Sequence, residues 1–591
     1  MLRSTANAGR SVARNAAKPR RLHSSRPPHN THTLSSSPSS AQQGSSASFV
    51  SRRNVAIAAG AAVLAGTAYT ASRSEDIPLL PASVNPNDPL SALDPALLSR
   101  TTAHLTGASL PDLLRQYVVY AVSGQPLLVE SAPWIVGKLQ WAKDNVPLLG
   151  PAVWAVFAVG VNNTFYSVYA GGESVPGCAP TVNAYASKGV GVMLNYSAEA
   201  PLGSSKSGEG IDFAAMKEIH TAVVESAKLT PPSTTGQAIK PALLAIKLSG
   251  LIYDASILRR ASTALNNSSV IARGGRLPAS TPFPQSPELS SEDHELLDKL
   301  YDGLRKVAGE AKQQGVRLLV DAEQSWFQPA IDRYCDLLSE EFNRVDGAST
   351  SSSSSSPAAP IVYNTYQCYR RDTPAKIADA LAHADANNYS FGAKLVRGAY
   401  QESERKVHSG TPAFAAGEPC VVWDSKAETD KCYDQCAALL EQRIAQDLKK
   451  KRAAGQPGVG VCLASHNGTS MKVFLEALRN DGLATEQDGG LVIDERLRGR
   501  VAFGQLMGMS DNLTTTLVNL LRPTVTDPSV PPLVVKYTPY ASLEQGLPYL
   551  TRRASENLSI LQGDPTSGRG GAADERRAVG KEIRRRMGLW F

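Results

Sequence analysis

Two adjacent arginines near the end of the chain are the residues most suited to chemistry. Arg552 and Arg553 lie three or four residues from Tyr549 and Glu556, so a helix would place these four side chains on one face. Guanidinium groups bind carboxylates through two parallel hydrogen bonds with a strict geometry. The spacing therefore predicts a site for a small anion. A surface ladder of Arg–Glu pairs is the alternative interpretation.

The element that must position these arginines is a helix that follows a strand. An apolar stripe with steps of three or four residues predicts the helix. Its members are Leu543, Leu547, Leu550, Ala554, Leu558 and Leu561. Ser542 and Gln545 predict a capping box where the helix begins. The apolar run just before it, at 533–537, is typical of a buried strand.

That strand is the last of eight short runs rich in apolar and β-branched residues. The runs cover 189–197, 242–250, 315–323, 361–368, 391–400, 458–467, 500–509 and 531–540. Near-continuous apolar runs are typical of strands buried on both faces, and amphipathic stretches separate most of these runs. Eight alternations of strand and helix predict an α/β fold with a (βα)₈ TIM-like barrel.

A charged or hydrogen-bonding residue ends each of the eight runs. These residues are Asn195, Lys247, Asp321 with Glu323, Gln367, Arg397, His466, Gln505 and Tyr537. Because the active site of such a barrel lies at the carboxyl ends of the strands, we expect these side chains to converge on one mouth. Lys394 and Lys536 would add positive charge there, which suits a cofactor diphosphate, a substrate carboxylate or both. Alternatively, Lys247 could form a Schiff base in an aldolase-like barrel.

The composition argues against several classes of function. The chain has 591 residues, is 42% hydrophobic and carries a formal net charge of +7. Residues 1–74 contain ten Lys or Arg and no acid, so the other 517 residues hold 51 basic and 54 acidic side chains. This balance gives no support to nucleic-acid binding. The sequence has no metal-ligand spacing and no dinucleotide or P-loop motif, and its seven cysteines without a CxxC pair predict reduced packing thiols.

The chain divides into five predicted segments. Residues 1–50, rich in Arg, Ser and Ala, match a mitochondrial transit peptide. Residues 51–74 are a possible membrane anchor or a linker, because 54–71 lack charge and would form a helix ~27 Å long. The other segments are a helical N-terminal arm (75–180), the barrel (181–562) with disordered Ser-rich insertions at 263–293 and 346–360, and a C-terminal tail (563–591). The tail predicts either a closing helix or a contact with an anionic surface.

A series of six motifs gives the chain a family resemblance. They are DAEQSWFQPAID (321–332), YNTYQCYRRDT (363–373), KLVRGAYQESER (394–405), ASHN (464–467), FGQLMGMSDNL (503–513) and KYTPYASLEQGLPYLTRRASEN (536–557). In this order they resemble proline dehydrogenase, also called proline oxidase, of the mitochondrial type. The similarity spans most of 165–562 and leaves out the first 160 residues and the two insertions.

The resemblance implies a distorted barrel that holds noncovalent FAD and oxidises L-proline to 1-pyrroline-5-carboxylate. It implies that electrons pass to a quinone of the inner mitochondrial membrane, with the protein on the matrix side. The residues implied to bind the proline carboxylate are Lys247, Arg552 and Arg553. Tyr537 and Tyr549 would flank the proline ring, and Asp321 would lie beside the isoalloxazine. The residues implied along the flavin are Gln367, Lys394, Val396, Gly398, His466, Asn467, Gln505 and Glu556.

Two positions depart from the family pattern, and three other functions stay open. Asn195 stands where relatives usually have an acid, and Gly468 follows Asn467 where an acid is frequent. A hydroxyproline dehydrogenase of the same family is the nearest alternative, although the ring of Tyr537 should crowd a ring hydroxyl. The remaining alternatives are a Schiff-base lyase that uses Lys247 and a membrane-bound barrel that serves as a scaffold.

Overall fold

The computed structural model of the protein describes most of the chain after residue 84. The described residues are 85, 87–197, 210–229, 243–272, 276–345, 358–449, 456–521, 532–561 and 572–588. The expected transit peptide (1–50), the possible anchor at 51–74 and most of the insertion at 346–360 therefore lie outside them. Along 554–561 the description covers the helical backbone and no side chains.

Eight parallel strands close into a barrel. They are β1 (Gly191–Tyr196), β2 (Leu243–Ile246), β3 (Arg317–Val320), β4 (Val362–Gln367), β5 (Phe391–Val396), β6 (Val459–Ala464), β9 (Val501–Leu506) and β10 (Val534–Tyr540). Neighbours in the closed sheet follow chain order from β1 to β6, then β9 and β10, which pairs with β1. Each of the eight apolar runs contains one of these strands, so the prediction of an α/β barrel is confirmed.

A two-stranded hairpin interrupts the alternation of strand and helix after β6. β7 (Ala484–Gln487) and β8 (Gly490–Ile493) pair antiparallel around Asp488 and Gly489, which both have positive φ. Positive φ at both central residues is the signature of the type I′ turn, which Asp-Gly favours. Asp488-Gly489 is thus a hairpin signal that the prediction of eight strands left out.

A helix follows every strand of the barrel, and further helices precede the first strand. Helices of eight residues or more are α1 (Leu110–Ser123), α2 (Pro126–Asn145), α3 (Leu149–Val161), α4 (Ala179–Ala186), α5 (Phe213–Lys228), α6 (Ser256–Asn266), α7 (Ser291–Gln314), α8 (Gln328–Phe342), α9 (Thr373–Ala386), α10 (Gln401–His408), α11 (Lys426–Lys449), α12 (Gly468–Asn480), α13 (Asp511–Leu520), α14 (Leu543–Leu561) and α15 (Ala572–Arg586). Shorter helical turns lie at Pro89–Leu93, Pro95–Leu98, Ala103–Leu105, Asn162–Tyr166, Ser167–Tyr169, Pro176–Cys178, Leu248–Leu251, Ser269–Ala272, Pro412–Ala415 and Glu495–Leu497.

Alternation along the strands separates the barrel interior from the layer under the helices. One small cluster fills the interior: Met193, Leu243, Ala245, Leu319, Tyr363, Cys462 and Val535. In β3, Leu319 belongs to this cluster, whereas Leu318 and Val320 pack outward with the helices. Because the side-chain period of a strand is two residues, the next inward position after Leu319 is Asp321, just past the end of β3. The interior packing therefore ends where the polar residues begin.

Local sequence sets the ends of the helix before β3. Ser290 and Asp293 form a reciprocal capping box at the start of α7. Gly315 ends the helix in the left-handed conformation, with φ 69°, which glycine adopts without the steric cost of a Cβ. The strand that leads to Asp321 begins two residues later, at Arg317.

The insertion at 263–293 is ordered over most of its length, so the prediction of disorder there is wrong. Its first residues complete α6 and its last residues begin α7. Arg333 of α8 donates to the backbone oxygens of Pro278 (2.8 Å) and Pro282 (3.0 Å), and Phe283 is buried. These contacts satisfy backbone carbonyls that a proline-rich segment does not pair in a helix or a sheet.

The C-terminal tail contributes a helix that packs on the N-terminal arm. Val579 and Ile583 of α15 form a cluster with Leu113 and Tyr120 of α1. Of the two interpretations of the tail, the structure shows the closing helix. Across the described part of the chain, no helix combines the length and the apolar content that crossing a membrane requires.

The seven cysteines lie in the packed interior as free thiols. They are Cys178, Cys335, Cys368, Cys420, Cys432, Cys436 and Cys462. None is more than 8% exposed, and they belong to several separate hydrophobic clusters. The prediction of packing thiols is confirmed.

Candidate active site

The carboxyl ends of the barrel strands open into a cleft of about 2600 Å³. Thirteen of the fourteen predicted site residues line it: Lys247, Asp321, Gln367, Lys394, Val396, Gly398, His466, Asn467, Gln505, Tyr537, Tyr549, Arg552 and Arg553. Glu556, the fourteenth, lies on α14 where no side chains are described. Asn195, predicted at the same mouth, is instead fully buried, and its amide donates to the backbone oxygen of Ala245 at 3.1 Å.

Asp321 joins three other groups at the floor of the cleft. Its Oδ2 accepts hydrogen bonds from Lys247 Nζ (2.8 Å) and Tyr537 Oη (2.7 Å), and its Oδ1 binds Lys394 Nζ. Lys247 Nζ also donates to Tyr537 Oη at 3.2 Å. The four residues come from four different strands or strand ends, so only the closed barrel brings them together. We call them the Asp321 cluster.

Burial and charge act in opposite directions on the Asp321 carboxyl. Removal from water by itself raises the pKa of a carboxyl group. The ammonium groups of Lys247 and Lys394 outweigh this effect, so the pKa of Asp321 lies well below its usual value. Burial and the adjacent Asp321 charge raise the pKa of Tyr537 well above its usual value. At neutral pH the cluster therefore presents an ionised carboxylate and a neutral phenol.

The arginines of α14 lie against aromatic rings. The guanidinium carbon of Arg553 is 5.0 Å from the ring centre of Tyr549, and that of Arg552 is 5.6 Å from the ring centre of Tyr400. Both distances are within the reach of about 6 Å for cation–π attraction. Arg553 is buried, whereas Arg552 is half-buried. Tyr400 was not among the predicted site residues, although it lies within the motif KLVRGAYQESER.

His466 is neutral and is oriented by two hydrogen bonds. Its Nε2 accepts from the backbone N–H of Leu506 at 3.2 Å, which assigns the ring proton to Nδ1, 2.9 Å from Ser510 Oγ. Burial, followed by nearby positive charges of which Lys536 is the first, lowers the pKa of His466 to about 3. At neutral pH this imidazole supplies hydrogen bonding and no charge.

Three other predicted cofactor residues are amides with partners inside the protein. Gln367 Nε2 donates to the backbone oxygen of Glu323 at 2.6 Å, and Thr514 Oγ1 donates to Gln505 Oε1 at 3.1 Å. Asn467 caps α12, because its Oδ1 accepts from the backbone N–H two residues later at 2.9 Å. These bonds fix the orientation of each amide on the wall of the cleft.

Lys536 is not at the mouth of the cleft, so that prediction is wrong. Its side chain is fully buried, with Nζ 2.6 Å from Asp511 Oδ1 and donating to the backbone oxygen of Met509 at 2.7 Å. Successive residues of a strand point to opposite faces, and β10 turns Tyr537 into the barrel. Lys536 therefore points outward to α13, and the mouth carries less positive charge than the sequence indicates.

The turn after β5 brings the backbone close to a neighbouring ring. Gly398 has φ 119°, a conformation that residues with a Cβ rarely adopt. A Cβ at this position would lie 1.7 Å from Cδ1 of Tyr369, so a larger residue requires rearrangement. This glycine lets the loop carry Val396 and Tyr400 along the wall of the cleft.

One wall of the cleft comes from the N-terminal arm, which the sequence did not predict. The residues are Pro133, Val136, Gly137 and Gln140 of α2. Their spacing of three or four places them on one face of the helix. The barrel and the arm therefore share the cleft.

Comparison with known proteins identifies the family. A family model described as "Proline dehydrogenase" matches residues 178–563, which is more than half of the chain. The chain belongs to the proline dehydrogenase family. As a member of the proline dehydrogenase family it is an oxidoreductase. The match runs from the helix before β1 to the end of α14, and leaves out α1, α2, α3 and α15.

The relatives of this protein align with different shares of its chain. It is 30% identical over 439 residues to "Proline dehydrogenase 2, mitochondrial" of Arabidopsis thaliana, covering 73% of this chain and 79% of the relative. It is 32% identical over 299 residues to "Hydroxyproline dehydrogenase" of Rattus norvegicus, covering 51% of this chain and 54% of the relative. A crystal structure of proline utilization A (PutA) from Bdellovibrio bacteriovorus, inactivated by N-propargylglycine, matches with 17% identity and a TM-score of 0.48. That match covers 90% of this chain and 44% of the solved chain, so this chain spans less than half of that protein.

Proposed function

We propose that the protein oxidises L-proline to 1-pyrroline-5-carboxylate with FAD as its cofactor. The observation that carries the proposal is that the Asp321 cluster and the arginine pair of α14 line one cleft. L-Proline is small and carries a carboxylate next to a ring amine, so it matches a cleft that offers guanidinium groups beside a pre-ordered polar floor. Membership of the proline dehydrogenase family supports the same substrate.

The side chains around the substrate fall into two groups, one that binds its carboxylate and one that contacts its ring. In this proposal Arg552 and Arg553 bind the proline carboxylate, and Lys247 adds positive charge from the floor. The rings of Tyr549 and Tyr537 flank the pyrrolidine ring. Asp321 fixes the position of Tyr537 through the 2.7 Å hydrogen bond. The protein's task is to hold the substrate ring in position and to exclude water.

The cleft has the size and the donor set for FAD. Its volume of about 2600 Å³ exceeds the range of roughly 300–1,000 Å³ that is typical of small-molecule pockets, which leaves room for a dinucleotide beside a small substrate. When bound, FAD would supply the acceptor for the hydride that leaves the ring carbon of proline. The oriented amides of Gln367 and Gln505 and the neutral His466 offer donors and acceptors, and Lys394 offers charge. The other residues proposed to lie along the cofactor are Val396, Gly398, Asn467 and Glu556.

The geometry speaks against a Schiff-base lyase. Such an enzyme needs a lysine whose amine is uncharged and able to attack a carbonyl. Lys247 Nζ forms an ion pair with Asp321 at 2.8 Å, and this contact stabilises the ammonium form. The proposal therefore gives Lys247 a role in binding and none in covalent chemistry.

Hydroxyproline is the second candidate substrate, because a hydroxyproline dehydrogenase is among the relatives. Tyr537 favours proline over hydroxyproline. Its hydroxyl donates to Asp321, and its ring centre lies 5.8 Å from Lys247 Nζ and 5.3 Å from Lys394 Nζ. A ring fixed in this way does not swing aside to admit an extra hydroxyl.

We also infer that the protein works at the matrix side of the inner mitochondrial membrane and passes electrons to a quinone. The basic, acid-free composition of residues 1–50 supports import into mitochondria. The Arabidopsis relative is named as mitochondrial. A reduced flavin must be reoxidised, and a membrane quinone is a suitable two-electron acceptor.

The test is to purify the full chain, add FAD and follow the flavin absorbance while L-proline is added without oxygen. We expect a yellow protein that bleaches with proline and bleaches far less with hydroxyproline. A preparation that takes up no FAD contradicts the cofactor assignment. A flavin-loaded protein that hydroxyproline bleaches faster than proline contradicts the substrate assignment, and borohydride trapping of substrate on Lys247 would establish the lyase instead.

A further inference from the structure

Exposed apolar side chains are concentrated in one part of the described chain. Ten of the seventeen large hydrophobic residues that are exposed there lie between positions 127 and 159. They are Leu127, Leu128, Trp134, Ile135, Trp141, Leu148, Leu149, Val153, Val156 and Val159. We call residues 126–161, which comprise α2, α3 and the turn between them, the arm hairpin. Soluble surfaces carry such residues singly, and a cluster of this kind marks an interaction surface.

Helix α3 is apolar on all its sides. The chain has no charged residue from Val146 to Gly172. Trp154 is buried on the inner side of α3, whereas Val156 on the outer side is 76% exposed. A helix that is apolar all round is stable in a protein core or in lipid, whereas a protein-binding surface usually has a polar rim. We propose that the arm hairpin inserts into the surface of a lipid bilayer.

The dimensions of the hairpin fit an element that lies in the membrane surface. Helix α3 has 13 residues and is therefore ~20 Å long, too short for a hydrocarbon core of ~30 Å. Helix α2 carries charges at Glu130, Lys138, Lys143 and Asp144, which keep part of it at the polar boundary. The exposed Trp134 and Trp141 belong to the residue type that is enriched at this boundary. A short apolar helix beside a charged helix with tryptophans at the boundary therefore suits shallow insertion into the bilayer surface.

The turn of the hairpin exposes a strained residue. Leu148 has φ 63°, which is uncommon and costly for a residue with a bulky side chain. Its side chain is 90% exposed, so packing against the described protein recovers little of that cost. Burial of Leu148 among acyl chains is favourable, because it removes apolar surface from water.

The hairpin also borders the cleft. Helix α2 lines the cleft with Val136 and Gln140 and carries the exposed tryptophans on the same element. It packs against α14, and its Lys143 forms an ion pair with Glu544 of that helix. Resting on the proposed function, this arrangement lets an electron acceptor dissolved in the bilayer reach the cleft without crossing water.

The first test measures binding of the full chain to phosphatidylcholine vesicles by co-sedimentation. Val156→Asp should lower the vesicle partition coefficient by roughly one to two orders of magnitude, because a charge is costly in an apolar medium. The matched control is Val473→Asp on α12, which makes the same change at a residue that is 40% exposed outside the hairpin. The control should bind vesicles like the unaltered protein. Equal binding by Val156→Asp and Val473→Asp would overturn the proposal.

The second test locates the contact without relying on a charged variant. Vesicles of brominated phosphatidylcholine should quench the fluorescence of Trp134 and Trp141. The Trp134→Phe/Trp141→Phe double variant should lose most of this quenching. The apolar stretch at 54–71 contains no tryptophan, so binding through that stretch alone would not produce the signal. Equal quenching in the double variant contradicts insertion of the hairpin.

Two further measurements distinguish membrane insertion from dimer formation and from loss of enzyme function. If sedimentation velocity shows a dimer that Val156→Asp dissociates while vesicle binding is unchanged, a second copy covers the hairpin and the proposal is wrong. Turnover of proline with a water-soluble dye acceptor tests the enzyme independently of the membrane. Vesicle binding without proline oxidation supports membrane insertion of the hairpin and contradicts the proposed function. Proline oxidation without vesicle binding supports the proposed function and contradicts membrane insertion.

Discussion

The floor of the cleft and the helix that follows the last strand hold positive charge in different ways. On the floor, Lys247 and Lys394 share the carboxylate of Asp321. On α14, the two arginines lie against tyrosine faces. An ion pair compensates most of a charge, whereas an aromatic face orients a cation with a weaker attraction. In the proposed function, the Asp321 cluster sets the shape of the floor, and the arginines of α14, on the wall of the same cleft, bind the anion.

The largest effect is expected when the floor loses its carboxylate. Asp321→Asn leaves two buried ammonium groups without their shared partner, and breaking a buried ion pair costs about 3–5 kcal/mol. We therefore expect the free energy of unfolding, measured with urea, to fall by that amount. Asp430→Asn is the control, because Asp430 also pairs with two cations but is 24% exposed, and it should cost less than half as much. If Asp321→Asn and Asp430→Asn lower the free energy of unfolding equally, the ion pairs of the floor are no more stabilising than a partly exposed ion pair.

The next effect concerns substrate affinity and α14. Arg553→Ala should weaken proline binding by about 2–5 kcal/mol, or roughly 30-fold to a few thousand-fold in Kd. Arg552→Ala should lie at the lower end of this range, because Arg552 is half-buried and Arg553 is buried. Arg479→Ala, which removes a surface guanidinium bound to Asp88, should leave the Kd of proline unchanged. Unaltered proline binding in both α14 variants would refute the carboxylate assignment.

A smaller effect on stability is expected when Tyr537 keeps its ring and loses its hydroxyl. Tyr537→Phe keeps the ring and removes the hydroxyl that donates to Asp321, and a hydrogen bond to a charged group contributes roughly 1.5–3 kcal/mol. The control is Tyr433→Phe, because the buried Tyr433 hydroxyl has no hydrogen-bond partner among the described residues. Urea unfolding should show the loss for Tyr537→Phe and little change for the control. A loss of the same size in both variants would contradict the role of the cluster.

A last comparison concerns the pH dependence of stability for two groups on either side of Ser510. His466 has its pKa lowered from 6.5 to about 3, so the unfolded chain binds more protons and stability falls as pH drops from 6.5 towards 3. Glu575 of α15 has its pKa raised from 4.5 to about 7 by burial and then by the charge of Asp511. Its stabilising contribution is therefore complete below pH 4.5 and is lost as pH rises through 7.

Melting temperatures recorded across this range distinguish the two groups. His466→Asn should flatten the acid side of the profile, and Glu575→Gln should raise the melting temperature above pH 7. Parallel profiles for the two variants and the unaltered protein would show that neither group is perturbed by its surroundings.

The sequence predicts the barrel well and the contacts of its charges poorly. Strands buried on both faces leave clear apolar runs, so all eight were found. The pairing of Asp321 with Lys247 joins residues 74 positions apart and depends on the closed sheet. Lys536 shows the same limit, because one step along β10 decides whether a side chain faces the cleft or α13.

Exposure and order are also hard to predict from composition. The apolar pattern of α3 is typical of a buried helix, yet the structure leaves much of it at the surface. The insertion at 263–293 has the composition of a disordered linker, and the guanidinium of the distant Arg333 orders it by binding backbone carbonyls. Both outcomes depend on partners that lie far away in the chain.

The buried cysteines make local unfolding of the protein measurable, because they lie in different parts of the structure. Cys335 lies in the cluster under α6, α7 and α8, Cys432 lies in the cluster around α11, and Cys462 lies inside the barrel. A thiol reagent reaches a buried sulfur only when the structure around it opens, and different regions open with different free energies. The order in which these three thiols react therefore shows which of the three clusters opens at the lowest free-energy cost.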